Sequence, residues 1–402
     1  PGTKDIFSRP LTHFFDGDAY LSRFTLKDGK AELQAGFIQT PQRVKEQASG
    51  EMLFHEFGTA APARTQQGRK NQPNINVVPW NGQMLALSEG AHPAALNKDS
   101  LAFENFTNFG GTLPKDVSFT AHPKFDPLTG FGYAFGIHQG MSRALKVYRM
   151  NPWSEVMEEL YSLNQSRVYM IHDMALTEDH LIFLIPPAFF KLTGILFGDG
   201  TLANALAFDK KSPTRLLILD KHGKEKPVEI ELPTSMVFHN GNAVMKDGIL
   251  TLQTFLSNDG SILELIADWN SETLPSAAIP DLIELTVDVK NKKILKSEVL
   301  LKAHDFPVFN KQFTGKASRY LYATSMGRPA DVMAFDKITK FDLTTRTASS
   351  IPMKQGQVCG EAFYVPRPQA VLEDDGWLSY IGYDQERDES FLAIHEARDL
   401  SF

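Results

Sequence analysis

An all-β chain built as a seven-bladed β-propeller is what this sequence predicts, and three observations predict it. Short apolar or alternating runs recur along the whole chain, turn residues separate them, and one hairpin-like unit returns again and again. The runs at residues 83–87, 132–137, 180–185, 248–255 and 377–383 each read as a strand. Long helical periodicity is missing, and residues 153–163 are expected to give at most one short turn of helix. The repeating unit is a strand, a polar turn and a second strand in which charged and apolar residues alternate. It occurs at residues 24–38 (FTLKDGKAELQAGFI), 93–106, 148–161, 217–232, 284–300 and 340–353, and opens once more at Ala393 with AIHEARDLSF. The starts lie roughly 53 to 69 residues apart, within the looser range of propeller blades. Each hairpin fits the outer pair of a four-stranded blade, whose faces must stack on neighbours to be buried. The competing arrangement is a large β-sandwich of unrelated hairpins. The last copy has no return strand before Phe402 and a propeller needs its last blade closed. Residues 1–402 are therefore expected to form one propeller domain without an N-terminal lead or a C-terminal closing segment.

Bulk composition agrees with a folded chain and removes several classes of function. Of 402 residues, 42% are hydrophobic, with 28 Gly and 23 Pro, which is enough for a substantial core and sets disorder aside. The formal net charge is −7 and the Lys and Arg residues are scattered, so no nucleic-acid-binding footprint is present. Cys359 is the single cysteine, which excludes an internal disulfide and fits a reducing, cytoplasmic location; it reads as a buried structural thiol. No uninterrupted apolar run has membrane-spanning length. The stretch from Leu181 to Phe208 is still unusually greasy for a segment broken by Pro186, Pro187 and glycines. Two readings are open for it: a buried strand with its loop, or an exposed apolar lip that touches greasy substrate or makes peripheral contact with lipid. Gly198-Asp-Gly reads as a turn, Asp16 and Asp18 as a turn capping its own backbone, and Arg319 and Arg367 as ion-pair donors. No nucleophile elbow occurs.

The chemistry lies with the histidines. There are 11, and none forms an HxH or HExxH pair that would mark a site by spacing. Three sit at strand ends beside polar or turn residues: His122 in TAHPK, His172 in MIHDMALTE and His239 in VFHNGNA. Singly, each is a satisfied structural histidine as readily as a ligand. Placed on successive blades, they would converge on the propeller axis, where imidazoles with open positions suit Fe(II), Zn or Cu.

The same residues carry a family resemblance. TAHPKFDPLTG (120–130), IHDMALTE (171–178) and FHNGNA (238–243) are similar, in order and rough separation, to three iron-ligand motifs of the carotenoid cleavage oxygenases. Supporting motifs occur in register: FFDGDA (14–19), NINVVPWNGQMLALSE (74–89), DFP (305–307), SRYLY (318–322), GEAFYVPRP (360–368) and EDDGW (373–377). The match spans essentially the whole chain and looks most like the bacterial apocarotenoid-cleaving type.

The resemblance implies a seven-bladed propeller with four histidines on a non-haem Fe(II) and three acids behind them. By position His122, His172 and His239 match the first three ligands, and Glu89, Asp305 and Glu361 match the acids. A carboxylate behind a histidine fixes its tautomer and its aim. The fourth histidine is expected beyond Phe402, since His395 stands in a context that precedes the motif and reads as structural. The implied activity is cleavage of a carbon–carbon double bond of an apocarotenoid or carotenoid by Fe(II) and O2, giving two carbonyl products, with a hydrophobic polyene as substrate. Departures bear on this. Asp305 replaces a Glu and is one methylene shorter, so its contact must be rebuilt or lost. Ile75 stands where relatives have Thr, and Met245 where Glu is common. Ser88 stands where stilbene-cleaving relatives have Lys, which disfavours that alternative. A propeller that only binds partners is the other alternative.

Overall fold

The computed structural model describes residues 5–138, 142–191, 193–194, 200–267, 279–325 and 335–402. Seven antiparallel sheets form the blades of a propeller. Five have four strands and occupy residues 76–106, 124–164, 175–232, 236–301 and 304–352. A three-stranded sheet follows at residues 357–396, and the hairpin Tyr20–Lys27 with Lys30–Phe37 supplies the remaining one.

Each sheet stacks on the next in chain order, because strands apolar on both faces are buried only when a neighbour covers each face. The hairpin packs Ala19 and Ile38 on Ala86, Ala94 and Leu96 of the first four-stranded blade. That blade meets the second through Leu85, Phe119 and Tyr148, and the second meets the third through Phe135, Leu145, Phe183 and Leu217. Leu184, Ile218, Leu252 and Leu285 join the third to the fourth, and Phe255 with Leu321 joins the fourth to the fifth. Tyr322, Ile338, Leu378 and Tyr380 complete the series.

Six of the repeated units coincide with observed hairpins at the outer side of a blade. They include Ala94–Asn97 with Phe103–Phe106, Asp281–Asp288 with Lys293–Leu301, and Lys337–Asp342 with Thr347–Pro352. The seventh opens inside strand Glu389–Glu396. Residues 153–163 are a correction: they hold no helical turn but lead into strand Met157–Asn164. A register break opposite Val147 and Tyr148 leaves Leu160 unpaired, so Met157 packs with Tyr148 on one face of the blade and Tyr161 with Val147 on the other. The bulge interrupts the alternation by which a strand is recognised.

Among the described residues, helices Pro41–Ser49 and Ser261–Ala267, short 3-10 turns and two small sheets stand outside the blades. Helix Pro41–Ser49 starts at Thr40, whose side chain accepts from Arg43 N, and stops at Gly50 with φ 67°. Helix Ser261–Ala267 and the sheet of Val168–Tyr169, Ala188–Phe190 and Leu206–Phe208 pack together over the central cavity. The greasy 181–208 stretch is thus divided. Strand His180–Ile185 is core of the third blade, and Phe190, Leu206 and Phe208 pack on Met170 and Met236. No described residue of the stretch is an exposed large hydrophobic, and residues 192 and 195–199 lie outside the described residues. No helix among the described residues is long and apolar enough to cross a membrane.

Other sequence readings find their places. Cys359 is buried, and burial pushes its thiol up to about 12. Arg319 pairs with Asp342 at 2.7 Å, and Arg367 with Asp375 at 3.1 Å. Asp16 accepts from His13 N at 3.1 Å, as a turn aspartate does. Asp18 does not cap its turn; it pairs with Lys70 at 2.6 Å and Arg43 at 2.5 Å.

Gly136 shows how tightly the approach to the site is built. A Cβ there would lie 1.9 Å from Ser118 O, because residues 118–120 lie directly against strand Gly132–Ile137. Thr120 N donates to Phe135 O at 2.8 Å and fixes the segment that ends in His122. Gly136→Ala is expected to cost about 1–3 kcal/mol of stability by overpacking, read as a lowered thermal midpoint. A midpoint equal to the parent's would contradict the contact.

Candidate metal centre

The inner strands are irregular where they carry functional side chains. Strand Met236–Lys246 breaks register between Val237 and Asn240, beside His239. Strand His304–Val308 breaks it after Asp305, where Phe306 adopts φ 58°. Strand Gln357–Pro366 does so between Cys359 and Ala362, beside Glu361. Such breaks re-aim a side chain that regular pleating would send into a blade interface. His122 and His172 need none, since both lie in loops that enter short inner strands. His122 N donates to Thr120 Oγ1 at 2.9 Å, and Asn76 Nδ2 donates to Ala121 O at 2.9 Å.

These elements bring His122, His172 and His239 together, with ligand atoms all within 4.8 Å of one another. Nε2 of His172 lies 3.0 Å from Nε2 of His122 and 3.1 Å from Nε2 of His239. On the far side of the rings, the Glu89 carboxylate lies against His172 Nδ1, and Asp305 Oδ1 accepts from His239 Nδ1 at 2.9 Å. The shorter Asp305 therefore keeps its contact, with the strand break supplying the reach its side chain lacks. An imidazole whose Nδ1 proton is committed to a carboxylate turns an Nε2 lone pair the other way. At 3.1 Å one of the two Nε2 atoms must carry a proton for the pair to attract, and a metal ion can take that proton's place.

This donor set fits a metal ion. Two metal–nitrogen bonds of about 2.1 Å span about 3.0 Å at a right angle and about 3.4 Å at the tetrahedral angle. Separations of 3.0 and 3.1 Å are short enough for His172 to share one ion with His122 and with His239. Burial, then the charges of His172 and His239, hold the His122 pKa well below the usual histidine range. Burial opposes charge on His239 too, but Asp305 outweighs it and lifts the pKa to about 9.

Glu361 faces the same space, and burial raises its carboxyl pKa while His239 works against the rise. Among the described residues no imidazole donates to it. His395 is not in the cluster; it is buried in strand Glu389–Glu396, its Nδ1 bonds to Leu400 O at 3.0 Å, and its ring stacks on Tyr380. The centre opens into a cavity of about 1380 Å³ whose apolar wall includes Phe14, Phe15, Ile75, Phe238, Phe306 and Phe335. Phe238 meets His172 edge-on and Phe306 lies 4.9 Å from His239. Ser88 lies at the same cavity beside Asn71.

Sequence reasoning passed over Asp173 and Lys124. Asp173 Oδ1 pairs with Lys124 at 2.7 Å, and its Oδ2 accepts from Asn240 N at 2.9 Å, so it ties the segments carrying all three histidines. Adjacency was the available signal: Asp173 follows His172 directly, and Lys124 lies two residues after His122.

Comparison with known proteins agrees with this architecture. The family model described as retinal pigment epithelial membrane protein matches residues 1–402. The chain is 28% identical to the apocarotenoid-15,15'-oxygenase of Synechocystis sp., covering 100% of this chain and 84% of that protein. It is 27% identical to carotenoid 9,10(9',10')-cleavage dioxygenase 1 of Arabidopsis thaliana, covering 97% and 76%. The crystal structure of cobalt-substituted Synechocystis ACO superposes with a TM-score of 0.90 at 27% identity, over 100% of this chain and 86% of that one.

Proposed function

Because the chain belongs to the family of the retinal pigment epithelial membrane protein, the carotenoid cleavage oxygenases, we propose that it is a ferrous dioxygenase cleaving a carbon–carbon double bond of an apocarotenoid or carotenoid. The observation that carries the reading is the convergence of three Nε2 atoms at the wall of an aromatic cavity. His122, His172 and His239 would hold the iron, and Glu361, by the same resemblance, would accept from a fourth imidazole. When bound, ferrous iron supplies the activation of dioxygen that protein side chains cannot perform.

The remaining work falls to the chain itself. Glu89 and Asp305 fix the tautomers of His172 and His239 and offset positive charge beside neutral imidazoles. Phe238 and Phe306, in contact with the ligand rings, would hold an extended polyene flat against the centre and exclude water. The reaction breaks one alkene and leaves one oxygen atom of O2 on each carbon, so two carbonyl compounds form. Incubation of the iron-loaded protein with apocarotenals and, separately, with hydroxystilbenes checks the substrate class. Two carbonyl fragments from the apocarotenal are expected; cleavage of the stilbene alone would contradict the reading.

Asp305→Asn keeps the shape of the contact and removes its charge. Iron affinity is expected to fall by about 10–100-fold, measured by competition with a chelator. An unchanged affinity would show that Asp305 does not support His239.

A further inference from the structure

The cavity that holds the imidazoles also contains a second group of charges that metal binding does not use. Lys124, Asp173 and Lys311 all line it. Asp173 is fully engaged, taking Lys124 at 2.7 Å, Met174 N at 2.8 Å and Asn240 N at 2.9 Å. Lys311 is not. It begins the short helix Lys311–Phe313, whose start is fixed by Asn310 Oδ1 accepting from Gln312 N at 3.1 Å. Its Nζ lies 4.3 Å from the centre of the Phe309 ring. Among the described residues no carboxylate lies within ion-pair distance of it. Lys311 is exposed, and the surface it presents borders the cavity. Desolvation, then the charge of Lys124, lowers its pKa to about 8. Both ammonium groups act on His122, so this niche and the imidazole cluster share one space.

The Phe309 face meets only part of the charge of Lys311. Within this niche Asp173 is taken by Lys124, which leaves the single charge of Lys311 without a carboxylate among the described residues. A neutral carbonyl oxygen would not meet it, and a doubly charged phosphate would exceed it. We propose that Lys311, with Lys124 beside it on Asp173, forms a subsite for one carboxylate group inside the central cavity. The carboxylate has two available sources: a small free acid, or the acid end of an apolar chain lying along the aromatic wall. The second source rests on the polyene reading of the cavity; the first does not.

The test uses the iron-loaded protein, with acetate as the small probe and a polyene carboxylic acid compared with its methyl ester. Binding is read by calorimetry and by quenching of tryptophan fluorescence. Lys311→Gln should weaken carboxylate binding by about tenfold or more, Lys311→Arg should keep most of it, and iron content should stay at the parent's level in both. Lys311→Met replaces the amide variant if that one does not fold. Acetate bound, with acid and ester held equally, identifies a free anion as the occupant. Acid held more tightly than ester identifies the substrate's end. Absence of acetate binding together with equal affinity for acid and ester overturns the proposal. So does carboxylate affinity unchanged in Lys311→Gln, because the carboxylate would then sit on the metal. Failure to cleave a polyene leaves the acetate result standing and counts only against the catalytic reading.

Discussion

His172→Ala is expected to abolish iron retention and double-bond cleavage together while the propeller stays folded. His172 is the middle member of the cluster, with its Nε2 within 3.0 and 3.1 Å of its two neighbours. Losing it removes one of three donors and strands the Glu89 carboxylate that lies against it. Loss of a group behind a ligand costs about 10–100-fold in affinity or activity, so loss of the ligand itself is expected to exceed about 100-fold. His395→Ala is the matched control. It removes a buried histidine with a backbone partner at 3.0 Å and should cost about 1–3 kcal/mol of stability. Its iron content should be unaffected. Metal analysis and product assay on the two variants separate a ligand from a structural histidine. Equal iron in both would contradict the assignment of His172.

The largest effect on stability is expected from Lys70→Met. Lys70 is wholly buried, with Asp18 and Glu46 at 2.6 Å and Glu56 at 3.1 Å, while Arg43 shares Asp18 at 2.5 Å. Burial works against the charge of Lys70, but the three carboxylates outweigh it and raise its pKa. Removing the ammonium leaves buried carboxylates short of a counter-charge, a loss of about 3–5 kcal/mol. The network fastens the 14–19 loop and helix Pro41–Ser49 to the cavity wall, so the loss is expected to reach substrate binding as well.

Glu56 gives this prediction a pH signature. Burial raises its carboxyl from 4.5 to about 7, against the pull of Lys70. Its folded-state pKa lies above the unfolded value, so between those pH values the folded state holds a proton that the unfolded state has released. The stability this group contributes is full below about pH 4.5 and declines as pH rises to about 7. Without Lys70 the carboxyl rises further, so the variant should lose least in acid and most above neutrality. Thermal midpoints of parent and variant at acid and alkaline pH check the sign. Equal losses at both would contradict the account.

Much of the architecture could be read from the chain because blade strands carry their pattern locally. Gln83–Leu87, Gly132–Ile137 and His180–Ile185 are predicted and observed with the same limits. Helix Pro41–Ser49 escaped because the only residue it buries is Glu46, which faces Lys70, so it has no apolar stripe. Its cap signals, Thr40, Pro41 and Gly50, were present without a periodicity to frame them. In residues 153–163 a bulge at Leu160 breaks the alternation that would have marked a strand. At the centre, local context singled out the three histidines, but their meeting depends on blades far apart in sequence. The Asp305 contact was least legible, since a shorter side chain argues for loss and only the strand break restores its reach. Lys311 follows FPVFN with no motif to mark it, and its lack of a carboxylate partner among the described residues exists only in three dimensions.

X-ray absorption at the iron edge of the reconstituted protein addresses the central assignment most directly. About one iron per chain, with a nitrogen shell near 2.1 Å carrying imidazole scattering and lost in His172→Ala, is the predicted result. A chain that binds no iron, or iron surrounded by oxygen alone and unaffected by that substitution, would contradict it.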